Sequence, residues 1–276
     1  MRIAFPLLLA AALVLAGAPT FAQDEPAVPN FWDLRARMER PDPDTLKPVR
    51  FMTTPDFKPF NFLDRRGALI GFNIDLARAV CHALGVACAI QYRPYATLVP
   101  ALKQGEGDAV IAGLSPERVP DKEVAFTRPY LKIPARFAGR KATTFGPATA
   151  PAGFFVGVVC ESSHKAYLET YFPLLNPICF PSLPQVLEEV AAGRIPVVFA
   201  DALSLATWLH EGGSADCCDF VSGPYIDDEH FGRGMAIAVR ADDAKLRRAL
   251  DFALREVYRD GTYSELYMRY FPVGLY

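Results

Sequence analysis

Several things are missing from this chain, and each absence closes off a class of function. No Cys-x-x-Cys pair occurs and the four histidines are scattered, so a thiolate or imidazole metal cluster has no framework. There is no Gly-x-Ser-x-Gly elbow and no phosphate-gripping glycine loop, which removes the usual serine hydrolases and nucleotide-binding enzymes. Beyond the opening residues no apolar run approaches about 20 residues, the length that crosses a bilayer. Basic charge is not in excess either: 29 Lys and Arg stand against 31 Asp and Glu, a formal charge of −2. A nucleic-acid partner would need a basic stripe. No motif implies a cofactor.

What is present begins with an export signal. Arg2, the apolar run from Ala4 to Ala18 and the small-residue site Thr20-Phe21-Ala22 read as a secretory leader cut after Ala22. The apolar stretch is short for an uncleaved anchor, and no cysteine lies near the cut to carry a lipid. Loss of the leader removes Arg2 and leaves a charge of −3 on about 254 residues, enough for two compact lobes. Six cysteines in an exported chain make disulfides plausible.

The rest of the chain is rhythmic. Residues 23–48 are rich in proline and charge and read as an extended arm, with one apolar stretch at Phe31-Trp32-Asp33-Leu34. From Val49 strands and helices alternate. Val49–Thr53 is a strand, and Gly71–Cys88 carries a helix whose Ile74, Ala77, Val80, Cys81 and Leu84 share one face. Asn73 is the expected cap of that helix, Asp75 suits its first turn, and Gly85 ends it. Further on come a strand at Cys88–Tyr92, a helix over Leu98–Gln104 with Pro100 in its first turn, and an apolar strand over Asp108–Leu114. After an extended stretch from Phe126 to Arg140 the rhythm restarts with strands at Phe154–Cys160, Ile178–Phe180 and Ile195–Ala200. Helices lie between and after them at Ser163–Tyr171, Leu183–Ala192 and Ala202–Leu209. Leu246, Ala249, Leu250, Ala253 and Val257 mark a one-faced helix, stopped by Asp260-Gly261 before a last helix reaching Tyr270. Two such units imply an α/β fold with two parallel-sheet-containing lobes. Cys160 and Cys179 each end a strand and are candidates to pair. Cys217 and Cys218 are direct neighbours, an awkward geometry for a bond, and their state is left open.

The segment Gly71-Phe72-Asn73-Ile74-Asp75-Leu76-Ala77-Arg78, together with the residues after it, resembles the signature of the family 3 periplasmic solute-binding proteins, the polar amino acid receptors of ABC importers. The resemblance spans roughly residues 49–273, with Asn73 where the family usually carries an acid. It implies a type II periplasmic binding fold in which the chain crosses twice between lobes through a two-strand hinge. The expected division is signal 1–22, arm 23–48, first lobe 49–132, second lobe with hinge segments 133–226, and a return to the first lobe over 227–276. Receptors for basic amino acids in that family carry a cysteine pair where Cys81 and Cys88 stand, so this bond is expected.

Ligands of open α/β sheets lie beyond the carboxyl ends of the strands. There the resemblance assigns Phe57 to one face of the ligand and Tyr95 to the other. Gly113 permits close backbone approach and Ser115 offers a hydroxyl to an α-amino or α-carboxylate group. A carboxylate-binding Arg is the weakest match: Arg118 falls about two residues early, and an ungapped alignment puts Pro120 in that slot. Ser163, at a helix start rich in free amides, suits a carboxylate. Asp201, after an apolar strand, suits an ammonium group. Each has a structural alternative: Phe57 as core, Tyr95 and Arg118 as surface, Ser115 as a turn residue, Asp201 as a helix cap. Glu161 replaces a small residue, usually Gly, and either faces solvent or serves a cationic ligand group.

The leading expectation is a monomeric periplasmic receptor, without enzymatic activity, that closes on a small amino-acid-like solute and passes it to the membrane permease of an ABC importer. Exported cyclohexadienyl dehydratases resemble the same fold and give a second reading, with Glu161 as proton donor. A sensory or accessory binding domain is the third. Thr54 stands where basic-amino-acid receptors carry an acid, so the side-chain class is left open.

Overall fold

The computed structural model describes residues 27–35, 37–211 and 214–276. The expected export signal and the first four residues of the arm lie outside the described residues. In chain order the regular elements begin with β1 (Val49–Thr53), β2 (Asp56–Phe57), β3 (Asn61–Leu63), β4 (Leu69–Ile70), α1 (Phe72–Leu84), β5 (Cys88–Tyr92), α2 (Tyr95–Lys103), β6 (Ala109–Val110) and β7 (Val124–Phe126). The middle of the chain supplies β8 (Ala135–Arg140), β9 (Phe155–Val159), α3 (Ser163–Tyr171), β10 (Asn176–Phe180), α4 (Leu183–Ala191), β11 (Val197–Asp201), α5 (Ala202–Glu211) and β12 (Cys218–Tyr225). The last are β13 (Ala238–Arg240), α6 (Ala244–Arg259) and α7 (Thr262–Tyr270).

Two five-stranded sheets organise these elements. The first has the order β5-β1-β6-β13-β7, and the second β10-β9-β11-β8-β12. Within each, the three strands of the strand–helix repeat run parallel, one strand (β13 or β8) runs against them, and the edge strand beyond it (β7 or β12) pairs antiparallel with that one. Since β7 and β13 belong to the first sheet and β8 and β12 to the second, the chain passes twice between them. The two passages pair with each other. Tyr130 N–H donates to Met235 O (2.8 Å), Met235 N–H to Leu131 O (2.7 Å) and Thr127 N–H to Ile237 O (3.0 Å). Gly234 sits at φ +100°, and a Cβ there would lie 2.7 Å from Leu131 O, so the close approach of the two passages requires glycine.

α1 starts two residues earlier than its expected cap implies, at Phe72 rather than Ile74. Gly71 is its N-cap at φ +130°, with no side-chain cap. Asn73 is therefore not a cap: it is fully buried, and its Nδ2 donates to Asn61 Oδ1 (2.7 Å). Asp75 does lie in the first turn, accepting from Tyr270 OH (2.7 Å) and tying α1 to α7. Gly85 closes the helix in the left-handed region at φ +69°. α2 begins three residues before its expected start, at Tyr95, which moves Pro100 into the second turn. The small antiparallel sheet β2–β3–β4 has no clear sequence pattern, because strands of two or three residues are too short to show alternation.

The described cysteines are all paired: Cys81–Cys88, Cys160–Cys179 and the adjacent Cys217–Cys218, with Cα separations of 5.9, 5.0 and 3.7 Å. The largest core packs α1, α6 and α7 on the first sheet, with Phe60, Phe72, Tyr263, Tyr267 and Phe271 in ring contact. Burying each such side chain contributes about 2–3 kcal/mol. The arm joins this core through Trp32, whose ring is capped by the Arg128 guanidinium at 5.9 Å.

Candidate functional site

The carboxyl ends of the parallel strands and the paired passages enclose a cleft of about 430 Å³. From the first sheet's side come Phe57, Gly113, Ser115 and Arg118; from the second come Ser163, His164 and Asp201. Six of the seven sequence-predicted ligand residues thus share one cavity. Tyr95 does not: as the first residue of α2 it is 50% exposed and lies outside the lining. A larger crevice of about 630 Å³ lies under the arm, but its acidic groups are already paired, Asp108 with Arg50 (2.8 Å) and Asp243 with Arg240 (3.7 Å). The cleft is different, since its polar groups are largely free.

Gly113 and Phe57 are mutually dependent. Gly113 has φ +71°, and a Cβ on it would lie 2.6 Å from Phe57 Cε1, so only glycine lets this ring line the cavity. On its other side Phe57 stacks on fully buried Phe60, with centroids 4.6 Å apart. Behind Gly113 a buried polar chain runs through the first lobe. Asn61 Nδ2 donates to Thr54 O (2.9 Å) and to Thr54 Oγ1 (2.8 Å), and Asn61 Oδ1 accepts from Asn73. Asn73 Oδ1 and the Tyr130 hydroxyl are buried without a well-formed hydrogen bond, although Tyr130 lies beside Asn73 and the Gly113 backbone. Ser115 closes a turn, its carbonyl accepting from Arg118 N–H (3.1 Å). The Arg118 side chain is exposed and has no ion-pair partner among the described residues.

On the opposite wall, Ser162 caps α3. Its Oγ accepts from Lys165 N–H (3.2 Å) and donates to Val159 O (2.6 Å). That leaves the neighbouring Ser163 hydroxyl unengaged at the cavity surface. Glu161 is exposed, stands outside the lining and has φ +53°, the one non-glycine residue in the left-handed region among those described. The small residue expected there is the one that this backbone favours. Asp201 ends β11, and its Oδ1 accepts from Ser204 N–H (2.8 Å), capping α5. The second oxygen has no partner among the described residues.

Two histidines complete the wall, and strand-end reasoning names neither. His164 stacks on Phe231 (5.2 Å) and meets Phe199 edge-on (5.7 Å). Burial pushes its pKa below the ordinary 6.5, with nearby Asp201 opposing that shift. His230 Nδ1 lies 2.9 Å from Asp227 Oδ1, and this contact holds the Asp227 carboxyl below its ordinary range. His164 directly follows Ser163, so the helix-start argument that finds the serine reaches it too. Residues 230–235 lie on the returning passage, beyond no parallel strand, where that argument does not look.

The sequence profile of the bacterial extracellular solute-binding proteins, family 3, matches residues 49–273. The chain belongs to this family. Similar family proteins include the ABC transporter arginine-binding protein 1 of Escherichia coli K12, 30% identical over 228 residues, covering 81% of this chain and 90% of the relative. The histidine-binding periplasmic protein of Salmonella typhimurium is 29% identical over 232 residues, covering 83% and 89%. Among solved structures, the L-cystine solute receptor of Neisseria gonorrhoeae in its unliganded open conformation shares the fold with a TM-score of 0.70. It is 21% identical, with 83% of this chain and 94% of that one covered. An ancestral cyclohexadienyl dehydratase shares it with a TM-score of 0.65 at 22% identity, covering 81% and 92%.

Proposed function

We propose that this solute-binding protein captures a small amino-acid-like molecule in the periplasm and delivers it to the membrane permease of an ABC importer, acting as a monomer. The observation that carries the reading is the set of unengaged polar groups that both sheets turn toward one cleft: the free Asp201 oxygen, the Ser115 and Ser163 hydroxyls, and the Arg118 guanidinium. An α-ammonium group finds a partner in Asp201. An α-carboxylate finds the α3 amides with Ser163, and Arg118 at the facing rim. Phe57 covers the ligand side chain, and Gly113 leaves its carbonyl within reach. Tyr95, outside the cleft, has no role in this scheme. Lobes divided near residues 133 and 227 would close by a hinge across the paired passages.

Three disulfides suit an oxidising compartment, in keeping with the export signal. The dehydratase reading loses its candidate acid, because Glu161 is exposed and away from the cavity. Thermal-shift screening of the purified mature protein with the common amino acids, polyamines and prephenate tests the proposal. One chemical class at low concentration should raise the melting temperature and be recovered unchanged. Product from prephenate, or no stabilisation by any member, would refute it.

A further inference from the structure

Counting charges inside the cleft narrows the solute, given that the cleft is the ligand site proposed above. Among its described lining residues two side chains carry a full charge at neutral pH, Arg118 and Asp201. One α-carboxylate and one α-ammonium group use both. Of the carboxylates just outside, Asp56, Glu161 and Glu229 are exposed and stand away from the lining, and three others are already taken. Asp227 accepts from His230 N–H (2.8 Å) and Tyr171 OH (3.2 Å), Asp228 pairs with Lys132 (2.5 Å), and Glu117 lies 3.3 Å from Arg233. Burial lowers the pKa of His164, and His230 Nδ1 is already in contact with Asp227 Oδ1 at 2.9 Å. Thr54, at the end of β1, is buried, bonded to Asn61 and uncharged. Apart from the Ser115 and Ser163 hydroxyls, the remaining side-chain wall is apolar, from Phe57, Phe231, Leu131, Ile133, Leu203 and Met235.

We infer that this cleft selects α-amino acids with uncharged side chains, seats bulky apolar or aromatic ones best, and discriminates against arginine and lysine. A third charge enclosed between the lobes would lose its water and gain no partner. A carbon side chain instead gains from leaving water against the apolar wall.

Calorimetric titration of the mature protein with L-phenylalanine, L-leucine, L-glutamine, L-arginine and L-lysine tests this. The best of the three neutral ligands should bind with a Kd at least about tenfold below either cation. Arginine or lysine binding as tightly as the best neutral ligand overturns the inference and leaves the receptor reading standing. Binding by none of the five overturns it as well, and the receptor reading also falls only if the wider screen is silent. Leu203→Glu supplies the missing carboxylate in the first turn of α5, where the helix dipole favours an anion. This variant should gain at least about fivefold for arginine and lose affinity for leucine. A variant that melts like the parent but has the parent's arginine affinity also overturns the inference.

Discussion

Asp201 lines the cleft and caps α5 with one oxygen, while its other oxygen has no partner among the described residues. Beside it, His164 lies between Phe199 and Phe231 with its basicity lowered by burial. That lowering has a consequence for stability. An unfolded imidazole takes up its proton near pH 6.5, whereas the folded ring resists until lower pH, so between these values the unfolded chain binds more protons. The contribution is fully present above about pH 6.5 and is lost as pH falls below it. Melting temperatures at about pH 7.5 and about pH 5.5 should therefore drop more for the parent than for His164→Gln. Equal drops would remove His164 as the cause. The chemical types of Asp201, Ser163 and Ser115 are legible in the sequence because strand ends announce themselves. His230 and Phe231 are not, because they reach the cleft from a connecting passage.

The turn between β9 and α3 concentrates several constraints in four residues. Cys160 is bonded to Cys179, Glu161 takes a left-handed backbone, Ser162 Oγ caps α3 by accepting from Lys165 N–H and ties it to β9 by donating to Val159 O, and Ser163 meets the cavity. A side chain at φ +53° costs about 1 kcal/mol relative to glycine, part of which glycine returns through unfolded-state entropy. Glu161→Gly should therefore stabilise the protein by about 0.5–1 kcal/mol, and Glu161→Val should destabilise it by about 1 kcal/mol. Urea unfolding midpoints measure both, and a destabilised glycine variant would show that Glu161 makes a contact worth more than its backbone costs. Long one-faced helices such as α6 are readable from spacing alone: Leu246, Ala249, Leu250, Ala253 and Val257 are all buried. The starts of α1 and α2 are not, because Gly71 and Pro94, neither with a capping side chain, begin them.

For the molecule as a whole, the paired passages at Leu131 and Met235 join two sheets that otherwise have separate strands and largely separate cores. If ligand contacts from both sides drive closure, small-angle scattering should show a smaller radius of gyration when the stabilising ligand is added. Asp201→Ala should remove that contraction while leaving the unliganded curve unchanged. Contraction undiminished in the variant would mean that closure does not depend on this carboxylate. By itself the sequence determined the strand–helix rhythm, the split into two units and the apolar faces, because these follow from local periodicity and turn chemistry. Only the tertiary structure decided which side chains meet across the cleft, that Tyr95 stands apart, that Asn73 is buried against Asn61, and that two histidines join the wall. Those outcomes depend on packing between segments far apart in the chain, which no local pattern records.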